Sequence, residues 1–439
     1  MRTYSPNTAI AVIIANMVGT GVFTALGFQL LDLPSVFPIL MLWFLGGIAA
    51  LCGALCYAEL GAALPRSGGE YNFLARTIHP AAGFVSGWVS ATIGFAAPVA
   101  AAAITFGKYF SASVMTDPPD WAVKLLAIAL VAAATLVHGR SRSGSAGMQL
   151  LFTLVKIAVI VVFCLVALMV VDLPQPISVL PQIGDKALIT SGAFAVSLIY
   201  VSYGYTGWNA ATYLSGELPN PQKDLPRVLL IGTGTVMVLY LALNYTFLKV
   251  APIEAMVGQV EVGYIAAKYA FGETGAKATG LVLSLLLIST VSAMTLAGPR
   301  VLQVIGEDYP VFAKLGVTNK DGIPSLAIAL QSIIACLFIL TSSFQWIVVF
   351  AGFTLGLNSF ITVISLFILR WRMPEIERPF KVPLFPLPAL IYLGLTGWTL
   401  FFVLKEKPVE GLVGLGVIAA GAVLYVLTKT IGKKINQNS

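Results

Sequence analysis

Charge is the first thing that this sequence lacks. Lys, Arg, Asp and Glu together make up 10% of its 439 residues, whereas 58% are hydrophobic. A soluble globular domain carries about 25% charged residues, so this chain has too few to cover a surface that faces water. Soluble enzymes, secreted disulfide scaffolds and disordered proteins are therefore excluded, and a polytopic helical membrane protein remains.

Cysteine and histidine are also scarce. The four cysteines all lie inside apolar runs, at Cys52, Cys56, Cys164 and Cys336. They have neither disulfide nor metal-site spacing, and the two histidines, His79 and His138, lie far apart. A membrane enzyme would need clustered His, Asp or Glu in the bilayer, and a channel would need a filter or a ring of charges. We therefore expect no enzyme, no metal site and no cofactor.

Apolar runs long enough to cross a bilayer are abundant instead. A membrane-spanning helix needs about 20 residues, and we count twelve candidates. The predicted spans are 8–31, 36–63, 81–112, 121–138, 148–171, 187–213, 227–250, 278–303, 324–342, 346–369, 386–404 and 409–428. No small-residue cleavage site follows the first run, so we do not expect a removable signal peptide.

The basic residues predict how the chain lies in the membrane. With both termini on one side, that side holds 17 of the 26 Lys and Arg residues and the other side holds 8, leaving Lys156 within the membrane. Cytoplasmic loops collect Lys and Arg, so we expect both termini in the cytoplasm. The net charge of +7 does not indicate a nucleic acid partner, because the sequence has no basic tract.

Two glycine-interrupted segments indicate an internal repeat. Residues 18–23 interrupt the first span and residues 204–208 interrupt the sixth, at corresponding points of 8–171 and 187–369. Each block holds five predicted spans, and because five is odd the second block is inverted relative to the first. Such paired interruptions mark the substrate site of many transporters. We therefore expect a five-plus-five inverted repeat, with two extra helices at 386–428, in one membrane domain.

The interruptions have a specific chemistry if their helices unwind. Glycine favours unwinding because it is destabilising in a helix interior. Unwinding frees N–H groups at the start of the next half-helix, where the helix dipole favours a carboxylate. Freed carbonyls on the other half suit an ammonium, so the pair matches a zwitterionic α-amino acid. The alternative is that the glycines only allow close helix packing.

Several motifs resemble those of the amino acid–polyamine–organocation (APC) transporter superfamily. Residues 57–71, Tyr-Ala-Glu-Leu-Gly through Gly-Gly-Glu-Tyr, resemble that family's signature after the second helix, and 19–23 resemble its unwound first helix. Residues 205–209 and 215–221 most resemble the L-type amino acid transporter branch. The resemblance implies the APC fold, an all-α fold of twelve transmembrane helices that agrees with the repeat above.

The resemblance also implies a binding site, position by position. Backbone amides of Val18, Gly19, Thr20 and Gly21 would hold the substrate carboxylate. Carbonyls of Ser202, Tyr203 and Gly204 would hold its amino group, with the Tyr203 ring as a gate. Tyr205 and Asn209 would lie near the side-chain pocket. For the aromatic residues, ordinary core packing is the alternative.

Lys156 is the one basic residue predicted to lie near the middle of a span. A charge at that depth costs several kcal/mol, so it indicates function unless the side chain snorkels to the interface. In the resembling family, a lysine here takes the place of a sodium ion and is held by first-helix carbonyls and eighth-helix hydroxyls. Ser289, Thr290 and Ser292 are the candidate hydroxyls. Either a fixed ammonium or a titrating amine fits the sequence.

These observations predict a sodium-independent transporter that moves small or neutral L-amino acids across a bacterial inner membrane. We expect it to work by alternating access, as an exchanger. A proton-coupled symporter or exporter is the alternative. No Asp or Glu lies in the middle of a span, which disfavours cationic amino acids and polyamines.

Glu59 and Glu217 fall at cytoplasmic helix ends, as gate or loop contacts, and Gly216 replaces an acid common in the family. The loop at 111–121 has no Cys for a disulfide-linked heavy chain, so we expect the chain to work as a monomer.

Overall fold

The computed structural model describes residues 5–66, 68–140, 146–212, 218–320 and 322–438, with only the backbone at 146–150 and 431–438. Over these ranges the regular structure is helical, without strands. The helices are α1 (Pro6–Met17), α2 (Gly21–Gln29), α3 (Val36–Ala63), α4 (Glu70–Thr77), α5 (Pro80–Val89), α6 (Ala96–Val114), α7 (Asp120–Arg140), α8 (Ala146–Val170), α9 (Asp185–Ile189), α10 (Gly192–Gly204), α11 (Pro221–Val250), α12 (Ile253–Met256), α13 (Val262–Ala297), α14 (Pro299–Asp308), α15 (Ala313–Gly316), α16 (Ser325–Thr341), α17 (Phe344–Arg372), α18 (Leu387–Glu406) and α19 (Pro408–Asn438).

The predicted all-α polytopic class is confirmed. Within the described ranges, ten helical segments are long and apolar enough to cross a membrane. Two shorter apolar helices, α10 and α16, occupy the sixth and ninth predicted spans. Because apolar helices satisfy their own backbone hydrogen bonds, they are the structure that such runs adopt in lipid.

Serine and proline start several of these helices. The Oγ atoms of Ser5, Ser191 and Ser343 each accept a hydrogen bond at 3.2 Å from an amide in the first turn of the following helix. Proline occupies the first turn of α1, α5 and α11, where its missing N–H has no intrahelical partner to lose. These caps satisfy donors that lipid would leave unpaired.

The first and sixth spans are interrupted, as the glycines predicted. The first span consists of α1 and α2, separated by residues 18–20. The sixth is shorter than the predicted 187–213, because α10 ends at Gly204 after 13 residues and turns follow. Gly207 in those turns has a φ of 101°, a left-handed conformation that favours glycine.

The interrupted helices lie inside a shell of continuous ones. The α1 helix packs against α8 and α11, α2 packs against α10, and α10 also contacts α3, α17 and α18. Across the molecule, α6 packs against α13 and α7. This arrangement buries both interruptions near the centre of the fold.

Two irregular segments were not predicted from the sequence. Ser90–Gly94 forms a π-helical turn between α5 and α6, and α13 is bent at Gly272, where φ is 71°. The π turn contributes Ser90 and Gly94 to the wall of a central cavity. Such turns are frequent at functional sites.

Candidate functional site

The first interruption exposes helix ends of opposite polarity. Val18 caps the carboxyl end of α1, where its N–H donates to the Ile14 carbonyl, and Gly21 begins α2. No described atom accepts a hydrogen bond from the N–H groups of Thr20, Gly21 or Val22. Free amides at a helix amino terminus favour an anion, which agrees with the predicted carboxylate site.

The carbonyls of the second interruption already have donors. The Ser202 oxygen accepts from Thr206 Oγ1 at 3.2 Å and the Tyr203 oxygen accepts from the Thr206 N–H at 2.9 Å. The Gly204 oxygen accepts from Tyr240 Oη at 3.0 Å. Since a carbonyl oxygen can accept two hydrogen bonds, each retains one acceptor site for an ammonium.

The two interruptions touch. A Cβ atom on Gly21 would lie 2.4 Å from the Gly204 Cα, so only glycine permits this approach. Tyr240 Oη bridges the end of α1 and the end of α10, because its single hydrogen is shared between the Met17 and Gly204 carbonyls. These glycines therefore allow both close packing and unwinding, which the sequence alone presents as alternatives.

Lys156 is buried beside the first interruption. Its Nζ donates to the Val18 carbonyl at 3.2 Å and to Thr290 Oγ1 at 2.8 Å. The Thr290 hydroxyl directs its own hydrogen to the Leu286 carbonyl at 3.3 Å, which leaves its lone pairs for the ammonium. The carboxyl end of α1 also favours a positive charge. With 2% of its surface exposed, Lys156 does not snorkel.

The other two predicted hydroxyls have different partners. Ser289 Oγ donates to the Leu286 carbonyl of its own helix at 2.8 Å. Ser292 Oγ lies 2.7 Å from His138 Nε2. The structure therefore brings Thr290, but neither Ser289 nor Ser292, to the Lys156 ammonium. At about 100° per residue, Ser289 and Ser292 share a face of α13 three positions apart, whereas Thr290 points to a different face, toward Lys156.

A cavity of about 640 Å³ adjoins the interruptions. Its wall combines α1, α3, α10, the π turn, α14 and α17, and it extends to the exposed side chains of Arg300 and Glu307. That end of the molecule is the one that the basic residues predict to be cytoplasmic. The volume is within the range for sites that bind small molecules.

Only part of the predicted binding set lines this cavity. Ser202, Tyr205 and Asn209 belong to its wall. Val18, Gly19, Thr20, Gly21, Tyr203 and Gly204 are buried outside it. The Tyr203 hydroxyl lies buried near Thr20 but forms no hydrogen bond of good geometry with a described residue. The segment that carries the free amides therefore does not line the cavity in this conformation.

A carboxylate also lies on the cavity wall. Glu70, at the start of α4, is 2% exposed and accepts hydrogen bonds from Tyr57 Oη at 3.1 Å and from Asn209 Nδ2. The spans contain no central acid, but α4 supplies one from outside them. The expectation that a cation would meet no fixed negative charge was therefore incomplete.

The opposite end of the site is closed by stacked aromatic rings. The Phe28 ring lies 5.9 Å from that of Tyr200 and 5.7 Å from that of Phe344, both nearly parallel. Gln345 Nε2 donates to Tyr200 Oη at 2.8 Å, and the Gly258 N–H donates to the Gly27 carbonyl at 2.7 Å. These contacts join α2, α10 and α17 into an outer layer, defined here as Phe28, Tyr200 and Phe344.

Ionic contacts order the predicted cytoplasmic end. Glu59 is fully buried and accepts from Arg370 Nε at 2.9 Å and Nη2 at 2.6 Å, and from the Val382 N–H at 2.7 Å. Asp308 accepts from Tyr71 Oη, and burial together with this bond raises the pKa of Tyr71. Glu59 is thus a loop contact, whereas Ser215, Gly216 and Glu217 lie outside the described residues.

Sequence reasoning missed three contributors to the site. Tyr240 in α11 gave no signal and Asn16 in α1 gave only a weak one, because a tyrosine or an asparagine in an apolar helix is common. Trp43 was also missed; it packs edge-on against Tyr240 at 5.4 Å and donates to Gln29 Oε1 at 3.1 Å. A polar side chain near a glycine interruption was the only available clue, and it applies to Asn16 alone.

Comparison with known proteins gives matches along nearly the whole chain. The family model described as amino acid permease matches residues 4–427. Mouse large neutral amino acids transporter small subunit 2 is 29% identical, over 96% of this chain and 80% of its own length. Mouse b(0,+)-type amino acid transporter 1 is 29% identical, over 96% and 86%. Mouse Asc-type amino acid transporter 1 is 28% identical, over 96% and 80%.

Proposed function

This chain belongs to the amino acid permease family, and from that membership we propose that it exchanges neutral L-amino acids across a membrane by alternating access, independently of sodium. The observation that carries the proposal is the contact of two interrupted helices beside a cavity that extends toward one end of the molecule. Free amides and carbonyls at these interruptions suit the two charges of an amino acid. The relatives' printed names, which describe amino acid transporters, support the same substrate class.

The geometry of Lys156 supports independence from sodium. Its ammonium occupies the space between the Val18 carbonyl and the Thr290 hydroxyl, two oxygen ligands of the kind that bind hard cations. A fixed positive charge there makes a metal cation redundant. The alternative is that the Lys156 amine binds and releases a proton in each cycle, which would couple uptake to a proton gradient.

Neutral substrates are favoured over cationic ones because the Glu70 carboxylate on the cavity wall already accepts hydrogen bonds. Glu70 is almost fully buried and already accepts hydrogen bonds from Tyr57 and Asn209. A cationic side chain would have to compete with these donors for the Glu70 carboxylate. We also propose that residues 8–171 and 187–369 are inverted repeats, which the matching interruptions support. A further proposal is that the chain acts as a monomer without a disulfide-linked heavy chain.

Uptake by the purified protein in liposomes tests the proposal. Labelled alanine, serine and leucine are supplied outside, with or without unlabelled amino acid inside, under imposed sodium and proton gradients. We expect strong stimulation by internal amino acid and no response to either gradient. Uptake into empty vesicles driven by protons would instead establish the symporter, and absence of amino acid uptake under every condition would contradict the proposed substrate class.

A further inference from the structure

Two asparagines on the cavity wall direct their amides in the same way. Asn16 Nδ2 donates to the Val12 carbonyl at 2.8 Å, and Asn209 Nδ2 donates to Glu70 Oε1. A carbonyl or a carboxylate can only accept, so each asparagine must present its NH₂ group to the protein. The orientation of both amides is therefore determined by their partners.

The amide oxygens of this pair face the cavity. No described residue donates a hydrogen bond to Oδ1 of Asn16 or Asn209, and neither oxygen is among the buried atoms without a partner. Both side chains are partly exposed and both line the cavity. Among the described residues, each oxygen is consequently an acceptor without a donor, open to the cavity contents.

The two asparagines are neighbours on the cavity side of the interruptions. A Cβ on Gly207 would lie 2.9 Å from the Asn16 Cβ, so the turn that carries Asn209 packs directly on Asn16. Asn16 precedes the first interruption and Asn209 follows the end of α10. In a conformation that opens the interruptions to the cavity, a molecule held there by its backbone would extend its side chain toward them.

We propose that Asn16 and Asn209 form an acceptor pair that selects amino acids whose side chain carries a hydrogen bond donor, and that Glu70 is the positioning residue that keeps Asn209 in its acceptor orientation. The inference rests on the proposed transport of neutral amino acids and specifies the substrate class. Threonine and valine have nearly the same shape, but only threonine can donate to the pair. A hydrogen bond to a neutral acceptor corresponds to a preference of about three- to tenfold.

Competition uptake in liposomes tests this inference with two isosteric substrate pairs, threonine with valine and serine with alanine. In Glu70→Gln, the new amide can donate to Asn209 Oδ1, which lets the Asn209 amide turn and present its NH₂ group to the cavity. We expect the wild-type preference for threonine to fall below about twofold through a higher KM for threonine. The kcat for alanine should change little.

Tyr57→Phe is the matched control, because it removes a different donor to Glu70 without releasing Asn209. It should keep the threonine preference, whereas a merely structural role of Glu70 predicts that both variants behave alike. Asn16→Leu, which removes one acceptor at similar volume, decides the question if Glu70→Gln does not fold. It should also lower the preference.

Three results would overturn the acceptor pair. These are equal uptake of threonine and valine by the wild type, an unchanged preference in both Glu70→Gln and Asn16→Leu, or loss of the preference in Tyr57→Phe as well. In each of them the wild type still transports amino acids, so the proposed function survives. Failure of the wild type to transport any amino acid would instead remove the proposed function.

Discussion

At the scale of single residues, Lys156 shows what one buried charge reveals in a sequence. A lone lysine in an apolar run is conspicuous because the bilayer makes it costly. Its hydroxyl partner could not be chosen from Ser289, Thr290 and Ser292, since the choice depends on the rotation of α13 about its axis. The structure makes that choice by directing Thr290 to the ammonium.

Replacing Lys156 by Met keeps the apolar stem and removes the ammonium. The Val18 carbonyl then loses its buried donor, which costs roughly 1–3 kcal/mol, and the positive charge at the carboxyl end of α1 is lost. We expect exchange in liposomes to fall by at least about tenfold while the protein still elutes as a folded species in gel filtration. Wild-type exchange rates in this variant would contradict the assigned role.

Two further comparisons between variants test whether the loss of exchange is specific to the Lys156 ammonium and its partners. Lys249→Met removes a lysine that donates to the Gln175 carbonyl in a loop, and its exchange rate should stay near that of the wild type. Thr290→Val should reproduce part of the Lys156→Met defect, whereas Ser289→Ala should not, because Ser289 bonds only within its own helix.

At the scale of helices, the glycine pattern predicted the two interruptions but not their full consequence. Gly21 and Gly204 fit the expected unwinding, and the structure adds that they touch across the two helices. The bend at Gly272 and the π turn at Ser90–Gly94 were not predictable, since a single glycine in a helix has many other uses. Contacts between distant segments, such as that of Tyr240, leave no periodic signal.

The contact between the interruptions makes Gly21 much less tolerant than Gly19. In Gly21→Ala the new Cβ would lie 2.4 Å from backbone, whereas in Gly19→Ala it would lie 3.4 Å from a Thr290 methyl, an ordinary contact. We expect Gly21→Ala to abolish most exchange and to lower the thermal unfolding midpoint measured by tryptophan fluorescence. Gly19→Ala should shift that midpoint little. Equal behaviour of the two variants would mean that the helices separate freely at this point.

At the scale of the whole molecule, apolar run length predicted the all-α class and the positions of the spans. It could not predict the cavity, whose extent depends on how the helices are arranged in one conformation. The cavity wall comes from seven or more segments scattered between Val12 and Leu400. For the same reason the sequence did not predict that the outer layer of Phe28, Tyr200 and Phe344 closes one end.

The proposed alternating access requires a second conformation, in which the closed outer layer opens. The rings of Phe28, Tyr200 and Phe344 belong to α2, α10 and α17, so these helices must separate for the site to reach the other side. Aromatic pairs contribute about 0.5–1.5 kcal/mol each beyond their buried area. Removing one ring should therefore raise the population of the form in which the outer layer is open. The increase is the factor that corresponds to the lost pair energy.

Cysteine labelling measures both the population with an open outer layer and the side of the membrane that the cavity faces. In a background without the four native cysteines, Ser202→Cys places a thiol on the cavity wall. An impermeant maleimide should react with it rapidly from the side that exposes a C-terminal tag and slowly from the other side. Ile183→Cys, at a fully exposed position in the loop before α9, should react only from that other side.

Adding Phe344→Ala should raise the slow labelling rate of Ser202→Cys by about two- to tenfold, because that rate follows the minor population. Trp346→Ala is the matched control, since Trp346 stacks on Phe350 of its own helix and not on the outer layer. Equal labelling from both sides in the parent protein would contradict alternating access. Rapid labelling from the Ile183 side alone would show that this cavity faces the opposite compartment from the one predicted.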